Sequence, residues 1–420
     1  MNANMDSILE KYANLIVRVG LNLQPGQRLL VKGPVNKMGT TIVTAPLVRA
    51  ITKAAYQAEA SLVDTMWHDD EIELIRFQHA PESSYQLYPD WRAQGFLDFS
   101  SNGQAAVTIY GSDPNLLDGQ DSESVDKLYK LALEKTAEAR SYGFVNAYNW
   151  LIVAYPTEAW AARVFPGDDP QASLPKLWDA LIKILRLDQD DPVAAWEAHI
   201  KDLEARRTYL NEKQYAGLEY RAPGTDLKVG LPENHYWGAA RFETQSGIPF
   251  IANLPTEEVF TIPHREKAEG VVSSSKPLSY GGSLVEDFSL TFEGGKVVNA
   301  QANSGEDILK GLLETDEGSS RLGEVALVPH SSPISQSGLL FYNTLFDENA
   351  SNHIALGRAF KFGLVDGVDL SDDEFAAVGG NHSLTHVDFM VGSDKMDVDG
   401  VIHDGSAEPV MRAGEWAFDV

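Results

Sequence analysis

The hydrophobic and polar positions in the first half of the chain alternate between helical and strand-like spacing. The stretch SILEKYANLIVRVGL places apolar residues three and four positions apart, which predicts a helix. RLLVKG then predicts a short strand, and TAPLVRAITKAAYQAEA predicts a second helix. SLVDTMW, DDEIELIRFQHA and NWLIVAYP continue as strand, helix and buried strand. This alternation predicts a mostly parallel sheet with helices on its faces.

Two more helices are predicted before the pattern changes. One runs from Thr157 to about Val164, and a charged one runs from about Pro192 to Lys213. Between them lies FPGDDPQASLP (165–175), an acidic stretch that contains prolines and predicts a surface loop.

The second half of the chain is rich in strand-like runs and glycine. The run TFEGGKVVNAQA predicts a hairpin that turns at Gly294 and Gly295. We therefore expect an α/β protein of two domains. An N-terminal α/β domain with a mostly parallel sheet covers residues 1–220, and a strand-rich α+β domain covers residues 221–420.

One strand of the second half carries ionisable residues among apolar ones. In LTHVDFMVGSD (384–394), His386 and Asp388 lie two positions apart, so both side chains point to the same face of a strand. A buried polar pair is costly unless something satisfies it. Solvent, a salt bridge or a metal ion would each do so.

Composition narrows the partners and the metal chemistry. The chain has 61 acidic and 34 basic residues and a formal net charge of -27, which argues against nucleic acid or an anionic membrane as a partner. It has no cysteine, so disulfides, thiolate metal sites and a cysteine nucleophile are excluded. Any metal ion must be held by His, Asp and Glu.

No targeting or membrane-spanning segment is evident in the sequence. The opening MNANMDSILEKYANLIVRVG lacks the apolar core and cleavage site of a signal peptide. No apolar run reaches the length of about 18 residues that a membrane span needs. We therefore expect a cytoplasmic protein.

The histidines gather in the second half, where seven of the ten lie after residue 230. Four segments there place histidine or carboxylate beside strand-like residues: NLPTEEVFTIPHR, RLGEVALVPHSSPI, NHIALGRAF and LTHVDFMVGSD. Together they supply the imidazole and carboxylate groups that a two-metal hydrolytic centre needs. In such a centre a carboxylate bridges the ions and a bridging water is the nucleophile. None forms a compact motif such as HExxH, and each residue alone also fits a solvated edge or a core histidine. The residues by themselves leave the function open.

The chain resembles the M29 family of metallo-aminopeptidases, which includes aminopeptidase T, aminopeptidase S and PepS. The similarity is carried, in order, by NLPTEEVFT, EVALVPHSSPIS, NHIALGRAF, HVDFMVGS and DVDGVIHDGSAEPVMRAGEWAF. The opening LEKYANLIVRVGLNLQPGQRLLVKGPV also resembles the family, so the likeness extends over essentially the whole chain. It implies removal of the N-terminal residue from short peptides with a free N-terminus, through a two-metal centre and a bridging water.

The resemblance also implies a set of metal ligands in the second domain. These are Glu258, Glu324, His353, His386 and Asp388, with Glu324 bridging two divalent ions in each subunit. Glu257 is the other register for the first glutamate, because neighbouring strand residues point to opposite faces. Zinc, cobalt, manganese and magnesium all suit nitrogen and oxygen ligands of this kind.

Phe360 departs from the family pattern. The family commonly has a tyrosine there, near the metals, which is thought to support the reaction. A phenol can donate a hydrogen bond to a developing oxyanion and a phenyl ring cannot, and losing one such donor can cost about 10²–10³-fold in rate. Either another donor substitutes, the enzyme is slower, its substrate differs, or phenylalanine is a packing variant.

Two other residues have expected roles in the reaction. Glu257, as a carboxylate outside the ligand set, would carry a proton to the leaving amine. Arg358 would orient the carboxyl end of the substrate, or else form an ion pair that holds its own loop. The resemblance further implies a homodimer whose active sites face an enclosed cavity, with the N-terminal domain as a wall.

Two alternative functions would use the same residues. An amidase acting on amino-acid amides needs the same ligands, and only a substrate panel separates it from a peptidase. A catalytically weakened metal-binding or peptide-binding scaffold would keep the ligands and lose turnover, with Phe360 as the sign of that loss.

Overall fold

The structure is a computed structural model that describes residues 3–113, 115–280 and 283–420. The chain divides into two compact units, each built from two segments: residues 1–199 with 241–255, and residues 200–240 with 256–420. The predicted boundary at residue 220 stays a prediction. The units differ from it over residues 200–220 and 241–255, because the latter segment forms its contacts within the first unit.

The first unit is built around a four-stranded parallel sheet, as the alternating pattern predicts. Its strands are β1 (Arg28–Lys32), β3 (Leu62–Thr65), β5 (Ala105–Tyr110) and β6 (Trp150–Ala154), in the order β3-β1-β5-β6. Two short pairs accompany it: β2 (Thr40–Thr41) with β4 (Trp67–His68), and β9 (Arg241–Glu243) with β10 (Pro249–Ile251). A bridge between Ile152 and Asn253 ties the later segment to β6.

Helices surround the sheet of the first unit. They are α1 (Ala3–Leu15), α2 (Ala45–Gln57), α3 (Asp70–His79), α4 (Asp90–Ser101), α5 (Ser122–Lys135), α6 (Ala137–Phe144), α7 (Glu158–Val164) and α8 (Pro170–Ile184). Helix α9 (Pro192–Lys213) begins in the first unit and ends in the second. Of the helices in the described ranges, none is both long and apolar enough to cross a membrane.

The surface loop predicted over residues 165–175 is wrong in its second part, where α8 already begins. The Asp169 side chain accepts a hydrogen bond from the Gln171 backbone N–H, which satisfies one of the free donors at the start of this helix. Pro170 then stands at the first helical position, where a missing N–H costs nothing. The acidic and proline residues that suggested a loop are therefore a helix start.

The second unit contains an eight-stranded antiparallel sheet, in the order β16-β15-β12-β8-β7-β20-β21-β22. The strands are β7 (Gly217–Ala222), β8 (Thr225–Gly230), β12 (Ala268–Ser273), β15 (Ser289–Glu293), β16 (Lys296–Gln301), β20 (Asp397–Val401), β21 (Ala407–Arg412) and β22 (Glu415–Trp416). The predicted hairpin is confirmed, since β15 pairs with β16 across Gly294 and Gly295. Both glycines have positive φ, at 55° and 77°, as a tight two-residue hairpin turn requires.

A second, four-stranded antiparallel sheet of this unit positions the candidate site. It consists of β11 (Val259–Thr261), β17 (Leu322–Leu327), β18 (His353–Gly357) and β19 (His386–Met390), in the order β11-β17-β18-β19. The remaining elements are the pair β13 (Leu278–Tyr280) and β14 (Ser283–Val285), with helices α10 (Glu306–Leu313), α11 (Pro333–Ser337), α12 (Thr344–Asp347) and α13 (Asp372–Ala377). A parallel sheet in one unit and antiparallel sheets in the other confirm the predicted α/β fold class.

Candidate metal centre

The four-stranded sheet has one polar face and one apolar face. In its register Glu324 lies opposite Ala355, and Ala355 opposite Asp388. Opposed residues in adjacent strands share a face, and side chains alternate along each strand. The polar face therefore carries Glu324, His353, His386 and Asp388. The other face carries Val325, Leu327, Ile354, Leu356 and Phe389, all buried, whose burial fixes the register and so the side on which the polar groups lie.

These side chains and Glu258 converge on one point, and we call Glu258, Glu324, His353, His386 and Asp388 the five-residue cluster. His353 Nε2 lies 3.1 Å from Glu258 Oε2 and 3.5 Å from Glu324 Oε1. His386 Nε2 lies 3.9 Å from Glu324 Oε2 and 3.4 Å from Asp388 Oδ1. The two oxygens of Glu324 thus face different imidazoles, as a bridging carboxylate would.

Both imidazoles are oriented by backbone carbonyls. His353 Nδ1 lies 3.2 Å from the Ser351 carbonyl oxygen, and His386 Nδ1 lies 2.7 Å from the Arg358 carbonyl oxygen. A carbonyl only accepts hydrogen bonds, so each Nδ1 carries a proton and donates it. Each Nε2 is then directed at the carboxylates, which is the way metal-binding histidines are held.

The five-residue cluster has an excess of negative charge. Burial raises the pKa of Glu324, and the charges of Asp388 and Glu258 act in the same direction against the two imidazoles. Burial alone would lower the pKa of His353, but its contacts with Glu258 and Glu324 hold it well above its ordinary value. Burial also opposes the charge of His386, yet the Asp388 carboxylate raises the pKa of His386 to about 10. The cluster therefore favours bound positive charge.

No lysine or arginine within residues 3–113, 115–280 and 283–420 forms an ion pair with a carboxylate of the five-residue cluster. Across the described residues, Glu258, Glu324 and Asp388 form ion pairs only with His353 and His386. Asp388 Oδ1 is buried and, within the same residues, accepts no hydrogen bond. A buried carboxylate oxygen without a hydrogen bond destabilises the folded protein unless a cation lies beside it.

The residues present fit divalent metal ions. Two groups, Glu258–Glu324–His353 and Glu324–His386–Asp388, each bring ligand atoms within 4.8 Å of one another, and they share Glu324. Imidazole and carboxylate ligands suit zinc, cobalt and manganese, and magnesium takes the carboxylates. Ala355 lies opposite both Glu324 and Asp388 in the register, so the side chain between these two carboxylates on the polar face is a single methyl group.

The buried Asn349 side chain holds the backbone segment that carries Glu258. Asn349 Oδ1 accepts a hydrogen bond of 2.7 Å from the Glu257 backbone N–H, and Asn349 Nδ2 donates to the Leu345 carbonyl at 3.2 Å. Asn349 is fully buried, so these hydrogen bonds are shielded from water. They hold the segment that delivers Glu258 beside His353.

The other residues singled out from the sequence lie at the edge of the five-residue cluster. Glu257 is buried but belongs to neither ligand group. Arg358 Nε donates to the Ser383 carbonyl at 2.9 Å, while the Arg358 carbonyl accepts from His386. The Phe360 ring lies 4.7 Å from the His386 ring, measured between centroids. Their predicted roles stay predictions.

One residue of the site was missed by sequence reasoning. Glu348 lies in a short 3₁₀ helix (Glu348–Ala350) directly after α12. Burial raises the pKa of Glu348 well above its ordinary value, and the charges of Glu258 and Asp388 raise it further. The only signal in the sequence was an acidic pair, Asp347 and Glu348, in an otherwise apolar and small-residue stretch.

A second group of histidine and carboxylates lies in the first unit. His68 Nε2 is 3.0 Å from Glu73 Oε2 and 3.5 Å from Asp70 Oδ1. Lys37 Nζ is 2.8 Å from the same Glu73 oxygen and 3.1 Å from the same Asp70 oxygen. We call these four residues the Lys37 cluster, in which a lysine already supplies the positive charge.

Comparison with known proteins gives a consistent result. The chain matches the family described as thermophilic metalloprotease (M29) over residues 5–416. It is 45% identical over 417 residues to aminopeptidase AmpS of Bacillus subtilis, covering 99% of this chain and 100% of that protein. It is 44% identical over 415 residues to aminopeptidase T of Thermus thermophilus, covering 97% and 98%. The solved structure of wild-type AmpT from Thermus thermophilus matches with a TM-score of 0.90 at 42% identity, covering 98% and 99%.

The fold and the cluster of imidazoles and carboxylates define a metal-dependent hydrolytic enzyme. More particularly, the chain belongs to the thermophilic metalloprotease family, M29. The predicted family and the predicted metallopeptidase class are thereby confirmed. Membership of this family implies divalent metal ions.

Proposed function

We propose that this protein is a metal-dependent aminopeptidase that removes the N-terminal residue from short peptides at a two-metal centre. One observation carries the proposal: two groups of ligand atoms share Glu324, and its two oxygens face different imidazoles. The names of the relatives, aminopeptidase AmpS and aminopeptidase T, support the choice of reaction.

The two groups support a division of the proposed ligands between two ions. Glu258 and His353 would hold one ion, His386 and Asp388 the other, and Glu324 both. Divalent ions bound there would lower the pKa of a water molecule and polarise the scissile carbonyl. Zinc, cobalt, manganese and magnesium remain the candidate metals.

The chain's own residues would bind and orient the peptide. Its N-terminal amine would be recognised by a carboxyl group outside the ligand set, such as Glu348, or by a metal ion after the amine has lost its proton. Glu257, buried and outside both ligand groups, would carry the proton to the leaving amine. Arg358 would orient the carboxyl end of a short peptide with the part of its guanidinium not bonded to Ser383.

The proposal is tested with purified protein on leucyl and arginyl p-nitroanilides. Activity is measured as isolated, after chelation, and after adding back zinc, cobalt, manganese or magnesium. We expect activity to disappear with the chelator, to return with metal, and to be absent in His386→Ala. His382→Ala is the matched control, since its imidazole is half-exposed and lies outside the five-residue cluster. No cleavage under any metal, with metal still bound, would contradict the proposal.

A panel of peptide and amide substrates separates the alternative functions. An aminopeptidase cleaves di- and tripeptides with a free N-terminus and leaves N-acetylated ones intact, whereas an amidase prefers amino-acid amides. A weakened scaffold would show near-zero turnover that Phe360→Tyr restores. We expect Phe360→Tyr to change turnover less than about tenfold, because the ring keeps its packing against His386.

From the resemblance we also propose a cytoplasmic homodimer with an enclosed cavity. Measuring the molar mass of the protein in solution tests the homodimer.

A further inference from the structure

Three phenylalanines of the second unit form a continuous aromatic surface. The ring of Phe360 stacks on that of Phe362, with centroids 5.3 Å apart and planes at 7°. The ring of Phe362 meets that of Phe260 edge-on, with centroids 6.1 Å apart and planes at 83°. Each of the three side chains is only partly buried. They therefore keep some apolar surface available for contact.

This surface borders the five-residue cluster on two sides. Phe260 lies opposite Ala326 in the sheet register, and Ala326 lies opposite His353, so Phe260 stands on the polar face in line with His353. At the other end, Phe360 lies over His386 at 4.7 Å. Phe362 joins the two. Aromatic rings thus extend from the β11 side of this polar face to its β19 side.

We infer that Phe260, Phe360 and Phe362 form the subsite for the side chain of the substrate's first residue, and that this subsite selects apolar residues such as leucine, methionine and phenylalanine. The inference rests on the proposed function. With the ammonium and the first carbonyl directed at the five-residue cluster, the adjoining side chain meets the rings. A leucine side chain buries apolar area there, whereas a lysine ammonium loses water and finds no carboxylate on a phenyl ring.

The test compares kcat/KM for leucyl and alanyl p-nitroanilide on full-length, metal-loaded protein and on Phe362→Ala. Phe362 contacts the other two rings, and its removal opens the subsite without touching a proposed ligand. Each methylene in an apolar pocket is worth about tenfold or more in kcat/KM. We expect unmodified protein to prefer leucine by about 10²-fold or more, and Phe362→Ala to reduce that preference about tenfold, with metal content unchanged.

Phe418→Ala is the matched control. Phe418 is also a partly buried ring in the second unit, stacked on Tyr209 at 3.9 Å, and it lies in no element of the four-stranded sheet. Its removal should leave the leucine preference as it is. Dissociation constants of leucine and alanine hydroxamate, measured by calorimetry, provide a second readout that is independent of turnover. They should show the same loss of preference in Phe362→Ala.

The outcomes separate this inference from the proposed function. Metal-dependent hydrolysis with equal kcat/KM for the two substrates, or a preference that survives in Phe362→Ala, would overturn the subsite and leave the aminopeptidase intact. Absence of metal-dependent hydrolysis in unmodified protein would overturn both. If Phe362→Ala loses its fold by circular dichroism, Phe362→Leu replaces it, and an unchanged ratio in that variant also counts against the subsite.

Discussion

The five-residue cluster and the Lys37 cluster are made of the same kinds of side chain but differ in how their charge is balanced. Each contains at least one set of three imidazole and carboxylate side chains whose ligand atoms lie within 4.8 Å of one another. In the first unit, Lys37 forms ion pairs with both Asp70 and Glu73. In the second unit, no lysine or arginine in the described part of the chain pairs with Glu258, Glu324 or Asp388.

Glu73 of the Lys37 cluster and Glu324 of the five-residue cluster have pKa values shifted in opposite directions. Burial would raise the pKa of Glu73, but His68 and Lys37 lower it below its ordinary value. Burial raises the pKa of Glu324, and the partners present do not overcome that effect. A group of histidine and carboxylate side chains therefore indicates a metal site only when no lysine or arginine already supplies the counter-charge.

The largest expected effect comes from Glu324→Gln, because Glu324 belongs to both ligand groups. The variant should lose bound metal, as measured by inductively coupled plasma mass spectrometry. Its aminopeptidase activity should fall by about 10³-fold or more, since bound metal provides several kcal/mol of transition-state stabilisation. Glu73→Gln is the matched control and should leave metal content and activity unchanged. An equal loss in both variants would remove the distinction between the clusters.

The next largest effect should come from a substitution that fills the space between Glu324 and Asp388 without altering a ligand. Ala355→Leu places a larger side chain between Glu324 and Asp388 and should reduce metal content and activity about 10²-fold through steric exclusion. Ala355→Gly keeps the space open and should retain metal. Full metal binding by Ala355→Leu would show that the ions do not lie above this residue.

Lys37→Met tests whether the lysine supplies the counter-charge in the Lys37 cluster. Removing the lysine leaves the Asp70 and Glu73 carboxylates without their counter-charge and should reduce the free energy of unfolding by about 3 kcal/mol. Zinc should restore part of this loss in the variant, because His68, Asp70 and Glu73 can then act as ligands. Urea titrations with and without zinc measure both effects. Lys53→Met is the control, as its ion pair with Glu10 is exposed and should contribute at most about 1 kcal/mol.

The smallest effect is expected at Lys32, a buried lysine that forms no ion pair with a carboxylate among the residues the structure describes. Its ammonium donates to Thr108 Oγ1 at 2.9 Å, and burial lowers the pKa of Lys32 from 10.5 to about 8. The unfolded chain therefore binds the proton more tightly, and the cost of burying the charge is fully present below about pH 8. Lys32→Met should be about 2 kcal/mol more stable than the unmodified protein at pH 7, after allowing for the lost hydrogen bond.

The stability difference between Lys32→Met and the unmodified protein should depend on pH. The advantage of Lys32→Met should diminish as the pH rises from 8 towards 10.5, because the unmodified lysine becomes neutral in the folded protein. Urea titrations at pH 7 and pH 10 test it. An advantage that grows with pH would mean that Lys32 is stabilised as a cation.

The features that sequence reasoning predicted correctly depend on local spacing. Alternating strand and helix patterns predict the parallel sheet of the first unit. Elements that follow one another in the sequence are usually neighbours in space, so local patterns are enough to predict it. The spacing of His386 and Asp388 predicts their shared face, which the register with β18 confirms. The hairpin at Gly294 follows from its turn residues.

The features that were missed depend on contacts between distant residues. Glu348 is brought to the site by a 3₁₀ helix with no strand pattern, so its spacing carries no signal. The order β11-β17-β18-β19 joins strands that are far apart in sequence, and local patterns do not encode it. The loop predicted over residues 165–175 is wrong in its second part because Asp169 and Pro170 begin a helix as readily as they form a loop.

Anomalous diffraction from crystals grown with zinc tests the central claim most directly. Two peaks should appear, one bounded by Glu258, Glu324 and His353 and the other by Glu324, His386 and Asp388. No peak should appear beside Lys37. A single peak at the Lys37 cluster, or no peak at the five-residue cluster in protein that hydrolyses leucyl p-nitroanilide, would contradict the account.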